Sequence, residues 1–145
     1  MIVALRYQSR GGNTKMVAEA IAKAAEVKAE SIAVPIDAPV DLLFVGGGVY
    51  AWAIDPALKN FLENLTPDDV TCIAAFSTGG GMSGTQMITK IAARKGIKVC
   101  EQALPIKLGL RNHTLFGGKG DIVLSEKESS AIEAFVKQVL ASLSL

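Results

Sequence analysis

The run Leu42-Leu43-Phe44-Val45, leading straight into Gly46-Gly47-Gly48, sets the frame for any fold this chain can adopt. Consecutive apolar residues without polar alternation suit a strand buried on both faces, as in a parallel sheet covered by helices. The runs Ile2–Leu5, Val70–Phe76 and Ile97–Leu104 read as further strands, with a short one at Ser31–Val34. Between them lie segments with helical spacing. Lys15–Val27 places Val17, Ile21 and Ala24 on one face. Asp55-Pro56 supplies an N-cap and a first-turn proline for a helix whose stripe is Leu58, Phe61, Leu62 and Leu65. A third helix carries Met87, Ile88, Ile91 and Ala92, with Gly96 placed to end it. Ser125 and Glu128 form a capping box for a last helix bearing Ile132, Phe135, Val136, Val139, Leu140 and Leu143. Pro35 and Pro39 leave no room for a helix between the second and third strands.

This alternation predicts an α/β fold: a five-stranded parallel sheet of order 2-1-3-4-5 with helices on both faces. At 145 residues, with no linker or repeat, the expectation is a single domain over residues 1–145. Half the residues are hydrophobic and the net charge is +1, which excludes a disordered chain and argues against a dedicated nucleic-acid binder. Two cysteines, Cys72 and Cys100, are too few for a disulfide framework or an all-cysteine metal site and read as buried core thiols. No basic leader and no uncharged run suited to a membrane span is visible, so a cytoplasmic protein without a membrane segment is expected. No His/Cys/carboxylate cluster suggests a metal, and no nucleophile–base pair suggests a catalytic residue.

In open parallel sheets, ligands bind beyond the carboxyl ends of the strands. Three Gly/Ser/Thr-rich loops are expected there: Ser9–Thr14, Gly46–Trp52 and Ser77–Met82. With the order 2-1-3-4-5 they meet at one end of the sheet. Ser9-Arg10-Gly11-Gly12-Asn13-Thr14 joins a strand to a helix, so its glycines, donors and helix N-terminus suit a phosphate, or the loop simply caps the helix. Tyr50 and Trp52 offer faces for a flat ring, or fold back as core. Ser77, Thr78, Gly79, Gly80, Gly81 and Met82 offer small side chains and N–H groups to a polar ring edge. Gly79, Gly81 and Gly84 also fit the dinucleotide pattern G-x-G-x-x-G with Glu101 downstream, but after the fourth strand rather than in the first βα turn.

The loop Ser9–Thr14 resembles the flavodoxin phosphate loop, S/T-x-T-G-x-T, and lies directly after the first strand, as in that family. The similarity extends along essentially the whole chain and is greatest to small flavodoxin-like proteins of anaerobic bacteria. It implies FMN, with phosphate at Ser9, Arg10, Gly11, Gly12, Asn13 and Thr14. It implies the ring between Gly48, Val49, Tyr50, Ala51 and Trp52 on one side and Ser77–Met82 on the other. It further implies an electron carrier between a reductase and a partner redox enzyme, monomeric or weakly dimeric. The chain departs from the pattern at Gly11, where the family has Thr, and Arg10 offers charge in its place or is a solvated surface residue. It lacks the family's acidity and the helix after the second strand. Ala51 stands where the family often has Gly beside the flavin, which predicts a less stable one-electron-reduced flavin. A flavin-free subunit and a nicotinamide-dinucleotide binder are the other function classes. His113 falls in the long segment Lys107–Asp121, a region expected to matter because such loops are often functional. Seven basic residues between Lys90 and Lys119, against Glu101 alone, would steer an acidic redox partner or are solvated.

Overall fold

The computed structural model describes residues 1–79, 83–108 and 123–144. The chain runs β1 (Val3–Gln8), α1 (Asn13–Ala25), β2 (Ala29–Ser31), β3 (Val40–Tyr50), β4 (Ala53–Ile54), α2 (Pro56–Glu63) and β5 (Val70–Thr78). It continues as α3 (Ser83–Arg94), β6 (Lys98–Val99), β7 (Leu104–Ile106) and α4 (Glu126–Leu143). The parallel order is β2-β1-β3-β5, with β6 and β7 both pairing beyond β5, while β4 folds back antiparallel on β3. This is the expected 2-1-3-4-5 order with two corrections. The fifth strand, expected over Ile97–Leu104, is two short segments, because polar Glu101 and Gln102 interrupt the apolar run at the sheet edge. Pro105, which lacks an N–H, sits where an edge strand tolerates it. The second strand is Ala29–Ser31 rather than Ser31–Val34.

The apolar run of β3 divides its side chains between two layers. Leu42 and Phe44 join Leu5, Cys72, Ala74 and Phe76 beneath α1 and α4, where Val17, Ile21, Ile132, Phe135, Val136 and Val139 are buried. Leu43 and Val45 join Ile73 and Ala75 on the opposite face, under Leu58, Leu62, Ile88 and Ile91 of α2 and α3. Phe44 and Phe135 meet edge to face at 5.8 Å. Strand periodicity of two explains why both faces of this run must be apolar.

The helix-free connection from β2 to β3 is held by Arg6. Its guanidinium, on a residue only 7% exposed, donates to Val34 O at 2.7 Å and to Leu5 O and Pro35 O at 3.0 Å. Cys72 and Cys100 are buried free thiols with their sulfurs 2.9 Å apart. The hydrogen bond between the two sulfurs lowers the pKa of the first deprotonation, at Cys72, and raises that of the second, at Cys100.

The glycine triplet does not begin a loop, contrary to expectation; Gly46, Gly47 and Gly48 continue β3 in register with Phe76, Ser77 and Thr78. Close approach explains them. A Cβ on Gly46 would collide with the Phe76 carbonyl and ring, and one on Gly47 would lie 2.7 Å from Leu58. Likewise Ser77 and Thr78 belong to β5, and the chain first turns at Gly79, φ +70°.

Candidate functional site

The end of β1 leads through a glycine-containing loop into the N-terminus of α1. Gly12 is the N-cap of α1 at φ +92°, a conformation that favours glycine, and it brings no capping side chain. Intrahelical bonding starts with Met16 N–H to Gly12 O at 3.0 Å, so the first-turn N–H groups face outward at the positive end of the helix dipole. Ser9 Oγ braces the turn by accepting from Gly12 N–H at 3.1 Å. The space beside Gly11 and Gly12 is open. Asn13 Oδ1 is buried without a partner, and Thr14 Oγ1 bonds Thr78 Oγ1 at 2.7 Å, joining the first turn of α1 to the end of β5.

Arg10 lies at the surface, half exposed, but its side chain is held rather than free. Its Nε donates to Asp55 Oδ2 at 2.7 Å, its guanidinium lies 3.9 Å over the Tyr50 ring, and its N–H donates to the Tyr50 hydroxyl at 3.2 Å. Asp55 Oδ1 meanwhile accepts from Ala57 N–H at 2.8 Å as the N-cap of α2. The Ala57 N–H and then Arg10 hold the Asp55 carboxyl below its ordinary value of 3.8. Tyr50 folds back toward its own strand; a Cβ on Gly48 would lie 2.7 Å from its hydroxyl.

A cleft of about 480 Å³ lies at this end of the sheet. Ser9, Gly11, Asn13, Thr14, Gly48, Val49, Tyr50, Thr78 and Gly79 line it, together with Lys107 and Leu108. A larger groove of about 650 Å³ runs between α1 and α4, but no loop from a strand end reaches it, so the cleft is the better candidate. Most expected positions therefore meet in one place, from three strand ends.

Several do not line the cleft. Arg10 and Gly12 shape the loop from outside the lining, and Ser77 Oγ is buried without a partner. Ala51 and Trp52 form the two-residue connection from β3 to β4, both with positive φ, +49° and +71°. Trp52 is 92% exposed, and among the described residues it stacks on no ring. Gly80, Gly81 and Met82 lie outside the described residues, as do His113, Arg111 and Lys119. Of the basic residues after Lys90 that are described, Arg94 pairs with Glu63 on α2 and Lys107 lines the cleft. Asp55 was legible as a cap but not as the partner of Arg10. Lys107 was flagged as one of the basic residues after Lys90 and as the start of a long segment, and Leu108 only as part of that segment. Among the described residues no cluster of His, Cys, Asp and Glu could hold a metal, and no helix is long and apolar enough to cross a membrane.

A parallel sheet of order 2-1-3-4-5 with a glycine-rich anion loop after its first strand defines the flavodoxin-like class. A family model described as a flavodoxin domain matches residues 4–122, and the chain belongs to that family. Solved structures show the same fold. Two-electron-reduced flavodoxin of Megasphaera elsdenii matches with TM-score 0.61 and 17% identity, over 94% of this chain and 99% of that one. The apo form of an NADH:FMN oxidoreductase matches with TM-score 0.67 and 13% identity, over 99% and 91%. Rubredoxin oxygen:oxidoreductase of Desulfovibrio gigas matches with TM-score 0.63 and 17% identity over 99% of this chain. This chain spans only 37% of that protein's length. The comparison with curated proteins finds no match.

Proposed function

We propose that the chain binds FMN and carries electrons in the cytoplasm between a reductase and a partner redox enzyme. The observation that carries this reading is the uncapped N-terminus of α1 opening, with Asn13 and Thr14, into a cleft shared with Tyr50, Thr78 and Gly79. The residues fit the group. The helix end and open glycines suit a phosphate dianion. The unpaired Asn13 Oδ1 suits a hydroxyl donor. The neutral wall of Val49, Tyr50 and Leu108 suits a flat ring. Bound FMN would supply one- and two-electron chemistry; the chain's own residues bind it, orient it and tune it. Among the described residues no side chain lining the cleft pairs a nucleophile with a base, which favours a carrier over a hydrolytic or acyl-transfer role.

The test is the absorbance spectrum of purified protein after FMN is added and the excess removed. A retained flavin band, lost on joint replacement Asn13→Ala and Thr14→Ala, supports the reading. The second reading, a flavin-free flavodoxin-like subunit, is favoured by the exposed Trp52 and by Tyr50 packing between Arg10 and Gly48. No retention even in excess FMN would select it.

A further inference from the structure

Among the described residues lining the cleft, Lys107 alone carries a charge. It follows β7 directly, and Gly79 N–H donating to Ile106 O at 3.2 Å fixes the backbone one residue before it. Neither described ion pair involves it, and it is exposed. β3 and β5 separate β1 from β7, so three inter-strand steps place Lys107 about 14 Å from the end of α1. The described lining of the cleft therefore has two positive poles, an uncapped helix end and an ammonium, with neutral described residues between them. A ligand with a fixed anion at one end and an uncharged ring at the other leaves the second pole unmatched until the ring gains charge.

Resting on the FMN reading above, we propose that Lys107 selects the reduced cofactor by holding it in its anionic form. The oxidised ring is neutral. A low-potential donor, such as dithionite, gives it two electrons. One proton from solvent goes to N5, and N1 is left negative; without a nearby cation N1 takes a second proton. Charge near N1 is a recognised lever on flavin electronics. An ammonium at that end of the cleft favours the anion and leaves oxidised binding nearly unchanged. A plain second phosphate anchor would instead strengthen both redox forms alike.

The experiment compares FMN-loaded full chain with Lys107→Gln, Lys107→Arg and, as a remote control on α3, Lys90→Gln. FMN dissociation constants are measured aerobically and after anaerobic dithionite reduction, and the midpoint potential is followed against pH. Lys107→Gln is expected to change oxidised affinity less than twofold and to weaken reduced affinity roughly tenfold. That ratio lowers the two-electron midpoint by about 30 mV. The break in the potential–pH line that marks N1 ionisation should move up by about one pH unit. Lys107→Arg restores the wild-type values, and Lys90→Gln keeps them. Equal weakening of both forms, or none, overturns the role of Lys107 while leaving the FMN reading standing. A wild-type chain that binds neither form overturns both.

Discussion

Arg10 and Asp55 lie 45 positions apart in sequence, yet their ion pair ties the β1–α1 loop to the N-cap of α2. One carboxylate serves two purposes, capping α2 through Ala57 and anchoring Arg10 above Tyr50. Because these partners depress its folded pKa below 3.8, the stabilisation is fully present above the unfolded value. It is lost as pH falls through the folded value. Arg10 is half exposed, so solvent screens the pair and the cap is the larger part. Asp55→Ala should therefore cost about 1 kcal/mol at pH 7. Urea midpoints measured from pH 7 down to pH 2.5 should show that gap constant at neutral pH and narrowing as pH approaches and falls through the unfolded value of 3.8. A gap of constant size across the range would mean that the carboxylate's charge contributes nothing. Arg6 illustrates the same economy without a carboxylate: three carbonyl acceptors replace the contacts that a connecting helix would have made.

The least relaxed element is the β3–β4 hairpin. Two-residue connections of this kind take positive φ at both positions and favour Asn-Gly or Gly-Gly. Here Ala51 and Trp52 occupy them at +49° and +71°, each at a cost of about 1 kcal/mol. Strain of this kind gathers at ligand sites, and the hairpin hangs from Tyr50, which lines the cleft. Replacing Ala51 with Gly removes the Cβ penalty but loosens the unfolded chain, which offsets part of the gain. The expected net effect of Ala51→Gly is stabilisation by about 0.5 kcal/mol, read from chemical denaturation at unchanged m-value. A destabilised variant would show that Ala51 sits there without strain. Other elements carry their signals locally. The Asp55-Pro56 start of α2 and the Ser125–Glu128 capping box of α4 were legible because each partner is within three residues. The Gly46–Gly48 segment was misread as a loop because its reason lies across the sheet, at Phe76 and Leu58. No local pattern distinguishes a glycine that turns from one that makes room.

For the whole molecule, the alternation of apolar runs and helical stripes was enough to give strand order and both layers, since β3 must feed both cores. The lining of the cleft was legible where it follows from topology, as at Ser9, Gly11, Asn13, Thr14, Thr78 and Gly79. It was illegible where it depends on side-chain direction: Trp52 points to solvent and Arg10 to Asp55. The cleft draws its walls from β1, β3, β5 and β7, so a ligand seated there links four strands and stabilises only the folded chain. Mass action then sets the gain: about 2.7 kcal/mol when free ligand is 100 times its dissociation constant. For a chain of this size that is a rise in unfolding temperature of roughly 5–10 °C. Riboflavin has the same ring and ribityl chain but no phosphate. If the uncapped end of α1 supplies the anion site, riboflavin at the same concentration should raise the temperature far less than FMN. Inorganic phosphate added with riboflavin should recover only part of the difference, because two separate molecules each lose their own freedom on binding. Equal shifts from FMN and riboflavin in thermal melts would place the binding energy in the ring alone. The glycines at 11 and 12 would then be features of the turn and not of the ligand.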